Sequence, residues 1–188
     1  MQATDGHAAS TDAPTWELVR AAFRDVHGSR LHGFALLLTL GAQPVAARIA
    51  AQSLADGAER AGELRHPERA AAWLRARTLH YARRERRAAG GGPRDRALSE
   101  LGADDPVGIA LGVLRLRERA VLIASDIERL DLRDVSTIVG IDGAELDRTL
   151  QRARTRYADA FAANAGDEAM QEGLLSTRIR TAADRALR

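Results

Sequence analysis

Apolar residues recur three or four positions apart along most of this chain, and the places where that spacing breaks divide it into short helices. Trp16, Val19, Phe23 and Val26 begin the first run, which continues through Leu31, Phe34 and Leu38, and the spacing returns from Val45 to Leu64. Pro67 stands where a further helix starts, with Trp73, Leu74 and Tyr81 on its later turns. Gly90, Gly91, Gly92 and Pro93 then interrupt the pattern, because three glycines and a proline cannot continue a helix cheaply. A second helical cluster is predicted over about residues 106–163. A last amphipathic segment, 167–187, sets Met170, Leu174, Ile179, Ala183 and Leu187 at mostly helical intervals. The resulting expectation is an all-α protein of two small helical domains joined by a flexible linker. Its parts are a disordered lead at 1–13, a helical domain at 14–87, a linker at 88–105, a second domain at 106–163 and a helical extension at 164–188.

Within residues 130–156, LDLRDVSTIVGIDGAELDRTLQRARTR, the apolar positions describe two short helices joined by a tight turn. Val135, Ile138 and Val139 face inward on the first. Gly140 follows where a chain leaving a helix commonly needs a left-handed residue, Ile141 plugs the corner, and Asp142 can cap what comes next. Leu146, Leu150 and Ala153 form the inward stripe of the second helix, while Arg148, Arg152 and Arg156 share another flank. This is a helix-turn-helix pattern, whose second helix is the one that enters a DNA major groove.

Composition changes the picture only in part. Aromatic residues make up 4% of the chain, and the abundant alanine and leucine favour helices over strands. The absence of cysteine excludes disulfides, thiol catalysis and cysteine-ligated zinc. The five histidines form no metal-ligating i, i+4 pair, so neither a metal nor another cofactor is expected. No phosphate-binding loop or nucleophile elbow is present, and no catalytic residue is assigned. The longest apolar run, residues 34–40 with Thr39 inside it, is too short to cross a bilayer, and the first ten residues carry no export pattern; no membrane partner and a cytoplasmic location are expected.

All 28 basic residues are arginine, yet the net charge is only +2, so their distribution matters more than their number. Eight arginines lie between positions 75 and 96 against Glu85 and Asp95, and four more lie between 148 and 156. If these faced phosphates, log affinity would fall against log salt with a slope of about −0.9 per phosphate neutralised. The alternative is a solvated helix face with intrahelical pairs.

Residues 114–154, LRLRERAVLIASDIERLDLRDVSTIVGIDGAELDRTLQRAR, resemble the C-terminal promoter-binding domain of the extracytoplasmic-function sigma factors of bacterial RNA polymerase. The family's "RAVL" helix corresponds to residues 119–122, its "EIAEILGIS" helix to 134–142, and its "RLHRAR" ending to 149–154. The resemblance implies that Arg148 and Arg152 lead the contacts with promoter DNA, with Glu145, Thr149 and Arg156 beside them. Glu145, Asp147 and Thr149 stand where the family tends to place threonine, lysine and arginine; a carboxylate there can accept from cytosine N4 but repels phosphate.

The N-terminal half resembles the same family's polymerase-binding domain more faintly, through Gly41, Pro44, residues 66–69 and Ala72-Trp73-Leu74. The resemblance implies core RNA polymerase as a partner, with an anti-sigma factor as a further one. It puts Arg48, Ile49 and Gln52 at the polymerase surface, and Tyr81, Arg83 and Arg84 beside the −10 element. Trp73 matches a core tryptophan. In the family the docking segment is acidic and amide-rich; here the aspartate position is Arg48, the glutamine position Ala51 and the glutamate position Gln52. Either docking is remodelled, or the chain is a sigma-like relic acting as a protein-interaction module. A stand-alone helix-turn-helix regulator is the remaining alternative.

Overall fold

The computed structural model describes residues 16–64, 66–85 and 105–165. The expected lead at 1–13, all but the last residue of the expected linker at 88–105, and the extension beyond residue 165 lie outside the described residues. Those that are described are helical, with no strand among them. The elements are α1 (Trp16–Leu38), α2 (Gln43–Glu59), α3 (Pro67–Glu85), α4 (Asp105–Gly112), α5 (Leu116–Leu122), α6 (Leu132–Val139) and α7 (Gly143–Asn164). A π-helical turn, Ile123–Ile127, extends α5.

The inner half of α1 enters the core with Leu31, Phe34 and Leu38 at 1% exposure or less. Its outer half does not follow the apolar spacing into burial: Val26 and Leu18 are each 63% exposed. Helix α2 returns alongside α1, and α3 packs on both. Gly57 allows the three to close together, since a Cβ there would lie 2.7 Å from Leu74 Cδ2 and 2.9 Å from Phe23 Cε1. Ser53 and Thr78, fully buried where α2 meets α3, satisfy their hydroxyls on each other and on the carbonyls of Ile49 and Leu74.

The later helices continue the same core. Leu111, Val121, Leu122, Ile123, Val135, Leu150 and Tyr157 belong to one apolar cluster with Leu31, Ile49, Leu74 and Leu79. Helix α7 packs on α4 and α5, while α6 packs chiefly on α3. Each large apolar side chain buried in this way contributes roughly 1.5–3 kcal/mol relative to an exposed one.

Two arginines fasten the first three helices to the rest. Arg75 of α3 makes a two-pronged pair with Glu128, at 2.5 and 2.7 Å, and donates to its own helix at Ala71 O. The two side chains are only 6% and 11% exposed, and Arg75 lies over the Phe34 ring. Arg119 is 7% exposed and donates to the carbonyls of Leu38 (2.7 Å), Leu111 (2.9 Å) and Leu114 (3.1 Å). The π turn, closed by the Glu128 N–H on Ile123 O, is what carries Asp126 and Glu128 to their partners.

Removing one member of a buried pair strands the other charge. Glu128→Ala is expected to destabilise the fold by about 3–5 kcal/mol in urea denaturation, whereas the Arg75→Met/Glu128→Leu double variant recovers most of that loss. An additive double variant would show that the pair is not acting as a unit. A pH effect follows from His27, which burial and the nearby Arg75 and Arg30 hold below the ordinary imidazole value of 6.5. The unfolded chain then binds the proton more readily than the folded one. Stability attributable to His27 is therefore full above 6.5 and is lost as pH falls through that value toward the lower folded-state pKa. Comparing urea midpoints of the native chain and His27→Gln between neutral and mildly acidic pH checks this; the variant is expected to lose less on acidification.

Candidate nucleic-acid interface

Helix α6 turns Val135, Ile138 and Val139 inward, each at 3% exposure or less. Gly140 then leaves the helix in the left-handed conformation, φ 69° and ψ 36°, with its N–H on Ser136 O at 2.8 Å. Ile141 packs half-buried against the core. Asp142 is extended at the start of α7, but its side chain makes no capping bond, contrary to the sequence expectation. Its backbone carbonyl, instead, accepts from Glu145 and Leu146, both at 3.2 Å. Gly143, at φ 45°, opens the helix in a conformation that a side chain would strain.

The inward stripe of α7 is Leu146, Leu150 and Ala153, continued by Tyr157 and by Phe161, whose ring stacks on Tyr157. The arginine flank divides in two. Arg148 is exposed and enters no ion pair or hydrogen bond among the described residues. The Arg152 side chain is 60% exposed and reaches Glu118 and Thr149 only at 3.7 and 3.5 Å. Arg154 is clamped by Asp126 at 2.7 and 2.9 Å, which together with burial sets its pKa: the Asp126 bond raises it. Arg156 donates to Glu118 (2.7 Å) and to the Val113 carbonyl (2.6 Å). Glu118 is the hub, 8% exposed and also accepting from the Arg115 N–H.

Several sequence-assigned positions thus sit differently from the outward face expected of them. Thr149 is 5% exposed, because it lies on the side of α7 that meets the body. Arg156 points back to the loop before α5. Glu145 is outward, its carboxylate 58% exposed and 3.9 Å from Arg117. On α3, Tyr81 is 9% exposed, its hydroxyl donating to Asp56 at 2.6 Å and accepting from Arg77 at 2.9 Å. It ties α3 to α2, so the ring that the resemblance puts beside the −10 element is held against the body. Burial and the bond to Asp56 push its pKa up. Arg77 also pairs with Asp56. Trp73 packs half-buried against the core, with the Arg60 and Arg77 guanidiniums 5.6 and 5.7 Å from its ring.

Arg83 and Arg84 are exposed on the last turn of α3. Arg83 lies close enough to Arg117 that burial and that like charge both lower its pKa. Partial desolvation and the neighbouring Arg84, Arg77 and Arg83 likewise hold His80 below 6.5. Arg117, which the sequence reading did not single out, lies near Arg83 of α3 and 3.9 Å from Glu145 of α7. Its signal was its place among the alternating residues 114–119, where Arg119 turns inward and Arg117 outward. Arg83, Arg84, Arg117, Arg148 and Arg152 are exposed to solvent, and so are Glu145 and Asp147.

The three residues assigned to polymerase docking part company. Ile49 is 1% exposed and belongs to the core. Arg48 is exposed but paired with Glu85 at 2.6 and 3.2 Å, and Gln52 is exposed. Among the described residues no group of His, Asp and Glu side chains could hold a metal ion, and no helix is long and apolar enough to cross a membrane. No family model, no curated protein and no solved structure matches the chain.

The corner can be tested by itself. A Cβ on Gly140 would meet nothing within 4 Å, so Gly140→Ala should cost only the left-handed backbone penalty, about 1–2 kcal/mol, and Gly140→Asn less. Equal stability of the alanine variant and the native chain in urea denaturation would count against a left-handed corner.

Proposed function

We propose that this chain is a DNA-binding transcription factor of the sigma type, which reads promoter DNA with the start of α7 and acts with core RNA polymerase. The observation that carries the reading is the corner at Gly140, which ends α6 and starts α7 so that Arg148 and Arg152 stand outward while Leu146 and Leu150 hold the helix down. In this reading α6 and α7 are a helix-turn-helix, and α7 is its recognition helix. The sequence resemblance over residues 114–154 supplies the partner and the promoter. Arg83, Arg84 and Arg117 would extend phosphate contact beyond the recognition helix, fixing register without reading sequence. The work is recognition and strand opening, with no covalent chemistry.

The two-domain organisation belongs to the same proposal. In the described arrangement the first three helices and the later four share one core. Simultaneous use of two promoter elements would therefore follow separation of α3 from α6. A second reading, the sigma-like interaction module, is favoured by one observation: Glu145 and Asp147 are exposed on the first turns of α7, where phosphate would be repelled, while Arg154 and Arg156 are spent on internal carboxylates.

Duplex-DNA binding followed against salt separates the two. The promoter-reading form is expected to lose affinity steeply with salt, and Arg148→Ala and Arg152→Ala each to weaken it by about 1–3 kcal/mol if they touch bases. Arg156→Ala is not expected to add a comparable DNA-specific loss. In vitro transcription with purified bacterial core polymerase on a promoter library tests the sigma assignment: open complexes that depend on the chain are expected, and their absence overturns it.

A further inference from the structure

Helices α1 and α2 enclose a groove of about 450 Å³, lined by none of the residues that the proposed DNA reading uses. One wall carries Arg20, Arg24, Gly28 and His32, four residues spaced four apart along α1. The other is α2, which contributes Ala47, Ala51, Ala55 and Leu54. The floor is apolar and shallow, because no side chain longer than a methyl rises from α2 at 47, 51 or 55. Neither Arg20 nor Arg24 forms an ion pair or hydrogen bond among the described residues, and no acidic residue lines the groove. Other arginines around the core do face a carboxylate or a carbonyl, as Arg75, Arg77, Arg119, Arg154 and Arg156 do.

We infer that this groove is the docking site for an acidic amphipathic helix of a protein partner. Its occupant would lay large aliphatic side chains onto the alanine floor and set glutamate or aspartate against Arg20 and Arg24. Charge complementarity decides the sign. A basic helix would meet two unpaired guanidiniums with like charge, a juxtaposition that costs affinity and slows association. Duplex DNA satisfies the arginines but leaves the apolar floor uncovered. The inference does not depend on the reading of DNA by α7, since none of the groove residues lies on α6 or α7, although Ala51 stands in the segment that the sequence resemblance assigns to polymerase docking.

The test uses the full chain and two labelled helical peptides of about 15 residues, the length at which an isolated helix becomes marginally stable. The peptides share one leucine stripe at i, i+3, i+4 and i+7; one carries glutamate at its flanks and the other lysine. Fluorescence anisotropy at low salt is expected to show the glutamate peptide bound at least about tenfold more tightly, with the preference reversed in Arg20→Glu/Arg24→Glu. Ala51→Trp, at an exposed position of α2, should fill the groove and abolish binding without loss of helix content by circular dichroism. Equal binding of the two peptides, binding unaffected by Ala51→Trp, or no binding of either would overturn the inference. Displacement of the peptide by a short DNA duplex would assign the groove to nucleic acid, and concentration-dependent dimerisation lost in Ala51→Trp would assign it to a second copy of the chain; either result overturns the partner reading. Loss of promoter binding with the peptide preference intact would sink the sigma assignment alone.

Discussion

The fold is organised around one guanidinium. Arg119 is buried at the start of the second helical group and donates to three carbonyls: Leu38 near the end of α1, Leu111 near the end of α4, and Leu114 in the turn before α5. Helices leave their last carbonyls without intrahelical partners, and such groups cannot be buried unsatisfied. A cation at helix C-termini also meets the negative end of the macrodipole. Arg119 answers both requirements at once, and so fixes where α1 ends relative to α4 and α5. Lysine could not serve in the same way, because three donors on one ammonium cannot spread over separated carbonyls as a planar fork does.

The same chemistry recurs at the edges of the core. Arg75 with Glu128, Arg154 with Asp126, and Arg156 with Glu118 each join elements distant in sequence through a charge-assisted pair. Every acceptor lies in α5 or in the π turn that extends it and the residue after. That short segment therefore receives arginines from α3 and α7. The chain's cations are partly consumed as structure.

What is left over defines the surfaces. Arg148, Arg152, Arg83, Arg84 and Arg117 stay exposed on α7, α3 and α5, whereas Arg20 and Arg24 border an apolar groove between α1 and α2. In the proposed promoter reading the first group would meet phosphate, with Glu145 and Asp147 opposing it, and in the further inference the second, with alanines beneath it, would meet an acidic helix.

The all-helical class was legible in the sequence because helical periodicity, alanine-leucine composition and the glycine-isoleucine corner are local properties. Residues 135–153 illustrate it: Val135, Ile138, Val139, Leu146, Leu150 and Ala153 are all buried, and Gly140 is left-handed as the spacing required. The arginines could not be sorted in this way. Arg148, Arg152 and Arg156 stand at equal steps along α7, yet Arg156 differs from the others because Glu118 and the Val113 carbonyl happen to lie beneath it. Tyr81 stands beside a basic run, where the resemblance puts the −10 element, yet the packing of α2 on α3 sets Asp56 against its hydroxyl. Ile49 and Thr149 fell inside for the same reason. Periodicity states which residues share a face of a helix; what that face meets depends on residues twenty to eighty positions away, and only their assembly in three dimensions decides it.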